Sequence, residues 1–100
     1  MANTFTVLFR GAASTEPALL YTVPADTTTL VTSVVATNPS PNMATFTMWL
    51  NGIEIAFDVS VPANDSLILE FKQVMTSTNA IQALASTTDL KWHISGLEIT

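Results

Sequence analysis

The single histidine, His93, is the first side chain to consider for catalysis, because a general acid or base must be titratable and held near a partner. Ser95 and Asp89 lie close to it in the sequence, so a Ser–His–acid triad can be drawn. Residues two apart on a strand are roughly 6 to 7 Å apart, which is too far for the hydrogen bonds of a triad. The sequence also has no G-x-S-x-G elbow. We therefore expect a surface or interface histidine and no enzyme activity.

The eight carboxylates are scattered along the chain and form no motif. Glu54 and Asp58 share a face of one predicted strand, but roughly 13 Å separates residues four apart at strand rise, too far for a paired acid and base. There is no D-x-D-x-D-G calcium loop, no cysteine and no glycine-rich phosphate loop. The sequence therefore predicts no metal site and no cofactor, and a calcium ion held by Asp26 or Asp65 with backbone carbonyls is the weaker alternative.

The composition limits the classes of protein that fit. The 100 residues are 48% hydrophobic and only 11% charged, and 16 threonines and 8 serines make the chain rich in hydroxyls. This balance excludes disorder, and a net charge of −5 with three scattered basic residues argues against nucleic acid. No apolar run approaches the roughly 18 residues of a membrane span. The beginning of the chain lacks the basic and apolar segments of a secretory signal, so we expect synthesis in the cytoplasm.

Period-two alternation of apolar and polar residues recurs along the whole chain, and turn signals interrupt it. This pattern predicts an all-β fold, a single antiparallel β-sandwich or jelly roll of about eight strands over residues 1–100, with residues 1–17 as a candidate N-terminal arm. The predicted strands are Thr4–Phe9, Leu19–Val23, Leu30–Asn38, two within Ala44–Val59, Ser66–Phe71, Ala80–Ser86 and Leu90–Ile99. The Ala80–Ser86 segment could form a short helix capped by Asn79, but it is too short for a stable one.

The Asn51-Gly52 pair predicts a two-residue hairpin turn, because both residue types tolerate positive φ. Such a turn fixes the register of the two strands and puts three apolar pairs on one face. The predicted pairs are Leu50 with Ile53, Met48 with Ile55, and Phe46 with Phe57. Trp49 then lies on the other face, paired with Glu54.

Alternation also assigns the faces of the remaining strands. In the first strand Phe5, Val7 and Phe9 lie on one side and Leu8 lies on the other. The inward residues of later strands are Leu67, Leu69 and Phe71, followed by Leu90, Trp92 and Ile94. A bulge at Ser95-Gly96 is expected to change the phase, so that Leu97 and Ile99 continue the apolar face.

Two short stretches echo each other 38 residues apart. They are Thr22-Val23-Pro24-Ala25-Asp26 and Ser60-Val61-Pro62-Ala63-Asn64. Each is a strand end followed by proline, a small residue and an Asx that can fold a turn with its own side chain. We expect two equivalent corners of a pseudo-symmetric sandwich.

Trp49 and Ile68 are the large apolar residues predicted to face outward, and they are interface candidates. The N-terminal strand adds Phe5, Val7 and Phe9, since residues 2–10 could join the edge of a neighbouring sheet. For Trp49 two alternatives stay open: another part of the chain covers the indole, or the indole stacks on a sugar ring.

Several stretches resemble small β-sandwich virion proteins of tailed bacteriophages, of the capsid decoration or cement type. The resembling segments are Leu20–Ala25, Val31–Asn38 with its Asn-Pro-Ser turn, Val61–Leu67, and His93–Ile99. Each is a β-corner or a strand, so the motifs are low in specificity. Starting at Met1 and ending at Thr100, the chain is expected to be a stand-alone decoration protein rather than one domain of a fibre.

The resemblance implies a structural role without catalytic residues. It implies a place on the capsid surface, the major capsid protein as partner, and a homo-oligomer, with a trimer favoured by family analogy. The acidic charge of the chain fits a position outside the packaged DNA. A tail or head fibre, or a carbohydrate-binding sandwich that uses Trp49, is the alternative.

Overall fold

The computed structural model describes residues 2–100, apart from the side chain of Phe71, and every regular element is a strand. The strands are β1 (Asn3–Ala12), β2 (Ala18–Thr22), β3 (Thr28–Asn38), β4 (Ala44–Leu50), β5 (Ile53–Val61), β6 (Asp65–Met75), β7 (Ala80–Ala85) and β8 (Lys91–Ile99). The predicted all-β class and the number of strands are confirmed. Residues 80–85 form a strand rather than the alternative helix.

The strands form two four-stranded antiparallel sheets. Sheet A has the order β1-β8-β3-β6, and sheet B has the order β2-β7-β4-β5. Among these strands only β4 and β5 are both consecutive in sequence and hydrogen-bonded to each other. All six other connections between these strands cross from one sheet to the other, which is the strand arrangement of a jelly roll.

The Asn51-Gly52 turn is confirmed, but the predicted register holds only next to it. Both residues have positive φ, and Leu50 faces Ile53 as predicted. Further along, the register shifts: Met48 pairs with Ala56, not with Ile55.

The second shift of this hairpin lies at Asp58, whose φ of 49° marks the irregular residue in β5. Because of the shifts, Phe46 pairs with Val59, not with Phe57. Phe57 is therefore 72% exposed, and its predicted place in the core was wrong. An extra residue in one strand reverses the face of every residue beyond it.

The first strand differs from its predicted facing for the same reason. The register against β8 shifts between Val7 and Phe9, so Leu8 turns inward and Phe9 packs against the core. Phe5 is 86% exposed. The segment treated as a candidate N-terminal arm contributes strand β1 to sheet A, where it pairs with β8 along its length.

The bulge predicted at Ser95-Gly96 was wrong for the last strand: the extra residues beside this pair belong to the neighbouring strands β1 and β3. The alternation in β8 itself continues, so Glu98 faces the interior and the predicted inward turn of Leu97 and Ile99 was wrong. Gly96 is required there, because a Cβ would lie 2.5 Å from the carbonyl oxygen of Leu30.

The core lies between the two sheets and contains the predicted inward residues of β8. Leu90, Trp92 and Ile94 are almost fully buried. The ring of Trp92 packs against the ring of Phe46, which belongs to sheet B, in an edge-to-face arrangement with 5.0 Å between the ring centroids. Leu67 and Leu69 pack against this core, whereas the predicted inward position of Phe71 lies outside the described side chains.

A buried asparagine joins the loops at one end of the sandwich. The Nδ2 of Asn38 donates to the carbonyl oxygens of Asn42 (2.8 Å) and Val61 (3.1 Å), and its Oδ1 accepts the N–H of Ser40. Asn38 has no solvent exposure, so its side-chain amide cannot bond to water. These three bonds replace the hydrogen bonds to water that the amide loses on burial. The β3–β4 loop is thereby fixed to the corner after β5.

The two echoed stretches are equivalent corners, as predicted. Asp26 and Asn64 have nearly the same positive φ, 55° and 56°, and the valines that precede them, Val23 and Val61, are buried. The first corner leads from β2 to β3 and the second from β5 to β6, so both carry the chain from sheet B to sheet A.

Candidate functional site

The structure places His93 beside a cation and not beside an acid. His93 is exposed on the outer face of sheet A, where it pairs with Arg10 of β1 and Val35 of β3. The Nε of Arg10 donates to the Nδ1 of His93 at 3.2 Å. Ser95 lies in the next row of the ladder, opposite Val7. This arrangement holds the histidine as a hydrogen-bond acceptor and supplies no nucleophile to it.

The carboxylates that the sequence analysis considered for an acid–base pair or a calcium site lie in separate places on the structure. Glu54 faces Trp49 across the hairpin, whereas Asp58 occupies the irregular position of β5 and its backbone N–H donates to Thr47 at 3.0 Å. Asp26 lies in the β2–β3 corner. Among the described residues, no group of three His, Asp or Glu side chains could hold a metal ion.

One polar cluster was not predicted from the sequence. The hydroxyl of Tyr21 donates to the carboxylate of Glu98, and it accepts a bond of 2.8 Å from the hydroxyl of Thr29, since its one proton is already engaged. Burial, followed by the bond to Glu98, raises the pKa of Tyr21 to about 12. The cluster links β2 of one sheet to β3 and β8 of the other, so it closes one end of the sandwich.

Trp49 lies on the outer face of sheet B, as predicted, and is half-buried. Its partners across the ladder are Glu54 on one side and Gln82 on the other, and Leu19, 60% exposed, continues the same row in β2. Phe57, which is exposed, adds a second aromatic ring to this face. We call this set the sheet B face.

The outer face of sheet A carries an apolar row that runs across all four strands. Phe5 faces Leu97, Leu97 faces Leu30, and Leu30 faces Val74, so these side chains lie on one face. The outermost members, Phe5 and Val74, are 86% and 67% exposed. Sequence reasoning proposed Phe5 but missed the others, although the alternation of Thr28–Asn38 already places Leu30 opposite the buried Val31. We call this set, with its neighbours, the sheet A face.

The other interface candidates of the sequence divide between this face and the core. Val7 and Ile68 lie on the sheet A face and are 48% and 60% exposed, respectively, so the predicted outward direction of Ile68 is confirmed. Phe9 is half-buried against the core and belongs to the interior of the sandwich.

Two shallow hollows lie on the sheet A face where the register shifts. The larger, about 550 Å³, is lined by Thr32, Ser33, Glu70 and Lys72. The smaller, about 320 Å³, is lined by Phe5, Thr6, Val7, Thr32, Ser95 and Gly96. Thr32 borders both hollows, and Phe5 of the apolar row borders the smaller one. The two hollows and the apolar row therefore form one continuous surface.

Within residues 2–100 the structure has no helix that is long and apolar enough to cross a membrane. The arrangement as a whole is a jelly-roll domain, and most of its exposed large apolar side chains lie on the outer faces of its two sheets.

No family model matches the sequence, and no curated protein matches it. Solved structures do match in fold. One is a chain in the structure of infectious bursal disease virus, Gx strain, with a TM-score of 0.57 and 12% identity over 97% of this chain. Another belongs to the T13 viral particle of the same virus, with a TM-score of 0.55 and 8% identity over 97% of this chain.

This chain spans about a third of the length of those two viral chains, 31% and 30% respectively. At such low identity the likeness concerns the fold alone: the jelly roll of this chain is also found in chains of an icosahedral virus particle.

Proposed function

We propose that this protein is a structural virion protein: a capsid decoration or cement protein of a tailed bacteriophage that stabilises the shell by protein–protein contacts. It acts without catalysis, on the capsid surface, after synthesis in the host cytoplasm. Its partners are the major capsid protein and further copies of itself, with three copies as the favoured assembly.

The observation that carries the proposal is the gathering of exposed apolar side chains on the outer faces of a small jelly roll. Phe5, Phe57 and Val74 are each more than two-thirds exposed. A monomeric domain with only 11% charged residues gains little from such faces in water, whereas an assembling one buries them. The resemblance to phage decoration proteins and the fold shared with chains of a virus particle both support the virion setting.

The direct experiment compares shells with and without the protein. Capsids of the phage that carries this gene are stripped of it, incubated with purified protein, and heated while disruption is followed by light scattering. The proposal expects a higher disruption temperature with the protein present. Equal disruption temperatures at saturating protein would reject the cement role.

A second candidate function rests on Trp49. The ring lies beside the carboxylate of Glu54 and the amide of Gln82 in one ladder row, and this combination of aromatic surface and polar side chains suits a sugar ring. A fibre tip or a carbohydrate-binding module would use it. Binding to a glycan array that the Trp49→Ala variant loses would favour this candidate, and an array without binding would remove it.

A further inference from the structure

Charge is divided unevenly between the two outer faces. The charged side chains of the sheet A face are Arg10, Lys72, Lys91 and Glu70. These include every lysine and arginine of the chain but only one of its eight carboxylates. A protein of net charge −5 therefore carries one face with an excess of positive charge.

Each of these cations has a defined position on that face. Arg10 lies beside His93, and Lys72 borders the larger hollow together with Glu70. Lys91 follows at the far end, where its ammonium group donates to the backbone carbonyl of Asp89 at 3.1 Å. Positive charge thus extends along the sheet A face beside the apolar row.

The sheet B face has the opposite character. Its strand β5 exposes the carboxylates of Glu54 and Asp58, and no lysine or arginine offsets them because all three lie on sheet A. Between and beside these acids lie the apolar side chains of Leu19, Trp49 and Phe57. Both faces therefore carry exposed apolar side chains, and the net charges of the two faces are opposite in sign.

We propose that copies of this chain join head to tail, with the sheet A face of one copy against the sheet B face of the next. The other two pairings are disfavoured, because they would bring like charges together. The molecule extends 45 by 22 Å along its two longest axes. A side of these dimensions has room for the roughly 800 Å² that each partner buries in a standard interface. This contact rests on the part of the proposed function that concerns copies of the chain, and it needs no shell.

A head-to-tail contact uses a different face of each copy, so a pair of copies still has one free sheet A face and one free sheet B face. Such contacts close into a ring when the rotation between copies permits it and otherwise continue as a filament. Because the two outer faces lie on opposite sides of the sandwich, a flat stack of copies extends as a filament, and a closed ring requires each contact to be strongly tilted.

The test exchanges one charge between the faces. Lys72→Glu and Glu54→Lys are made singly and together, and the mass of each protein in solution is measured by light scattering across a concentration series. The single variants should dissociate at concentrations about tenfold higher than the wild type, because each change removes the net charge of one face and with it the attraction between the faces. The double variant has the same net charge as the wild type but leaves both faces without net charge, so it should stay dissociated like the single variants.

Glu16→Lys is the matched control, since it makes the same change in charge in the β1–β2 loop, outside both faces. It should leave the mass unchanged, and circular dichroism with thermal unfolding confirms that each variant is folded. A monomeric wild type, single variants that keep the wild-type mass, or a double variant that regains the wild-type mass would each overturn the proposal.

The outcome is separable from that of the proposed function. Single variants that are folded but dissociated can be added to stripped capsids and their occupancy counted by electron microscopy. Loss of self-association with retained shell binding supports this contact and leaves the decoration role standing. Wild-type self-association without shell binding supports the contact and counts against decoration.

Discussion

Two phenylalanines of this protein show how differently the interior and the outer faces of the sandwich use apolar side chains. Phe46 is 1% exposed and packs on Trp92, whereas Phe5 is 86% exposed at the end of an apolar row on sheet A. Both belong to strands with alternating patterns. The difference is that the first ring holds the two sheets of one molecule together, and the second ring lies where only another molecule can cover it.

The comparison separates folding from assembly. Residues between the sheets should change the free energy of unfolding of the monomer, and residues on the outer faces should change association instead. Substitutions at matched positions can break this separation or sharpen it.

The largest effect is expected for Phe46→Ala. Removing a buried ring that contacts Trp92 should lower the free energy of unfolding by about 3 to 5 kcal/mol. Phe5→Ala, the same change on the outer face, should alter it by no more than about 0.5 kcal/mol. Urea unfolding measured at low protein concentration gives both values. Similar losses for the two variants would contradict the division between interior and outer face.

The next effect is expected for Asn38→Ala, which tests the polar part of the interior. The substitution leaves the carbonyl of Val61 and the N–H of Ser40 without their buried partner, at a cost of about 2 to 3 kcal/mol. Asn42→Ala is the control, because this asparagine is exposed and offers Asn38 its backbone carbonyl, which the change preserves. The same unfolding experiment compares them, and an equal loss for Asn42→Ala would remove the special role of Asn38.

A smaller effect, about 1 kcal/mol, is expected for Tyr21→Phe at neutral pH, because the bonds to Glu98 and Thr29 are lost. The folded state raises the pKa of Tyr21 from 10.0 to about 12, so it stabilises the protonated phenol. That contribution is complete below pH 10 and disappears as the pH rises toward 12. Wild-type stability should therefore fall between pH 10 and 12 more steeply than that of the variant. Parallel curves for the two proteins would mean that the phenol is not held by this cluster.

The smallest effect on folding is expected for Val74→Ser on the sheet A face. Its free energy of unfolding should stay within about 0.5 kcal/mol of the wild type, but self-association should weaken by a factor of about three or more, because an apolar contact is lost. Met43→Ser is the matched control, since Met43 is also exposed, at 63%, but lies in the β3–β4 loop. Light scattering should show weaker association for the first variant only. Equal association of both variants would place Val74 outside the contact.

Local signals in the sequence were sufficient for the strands, the Asn51-Gly52 turn and the paired corners, because each depends on residues close together in the chain. The register shifts were not predictable in the same way. The stretch from Ile53 to Val59 is apolar at Ile55, Ala56 and Phe57, so an alternating pattern fits it with or without an extra residue. Only pairing with β4 decides which of these residues turns inward.

The candidate faces were predictable only in part. Trp49 and Ile68 could be assigned outward from alternation alone, and both assignments agree with the structure. The apolar row and the separation of charge depend on which strands become neighbours in each sheet. Phe5 and Leu97 are far apart in the sequence, and nothing local to either residue indicates that β1 lies beside β8.

Electron microscopy of particles tests the central claim, a structural protein bound to a phage capsid, most directly. Shells stripped of the protein and incubated with saturating wild-type protein should gain ordered density on their outer surface. The density should fit a jelly roll of this size, with the sheet A and sheet B faces covered by neighbouring copies or by the shell. Shells that remain bare at saturation, with the protein folded in solution, would contradict the account.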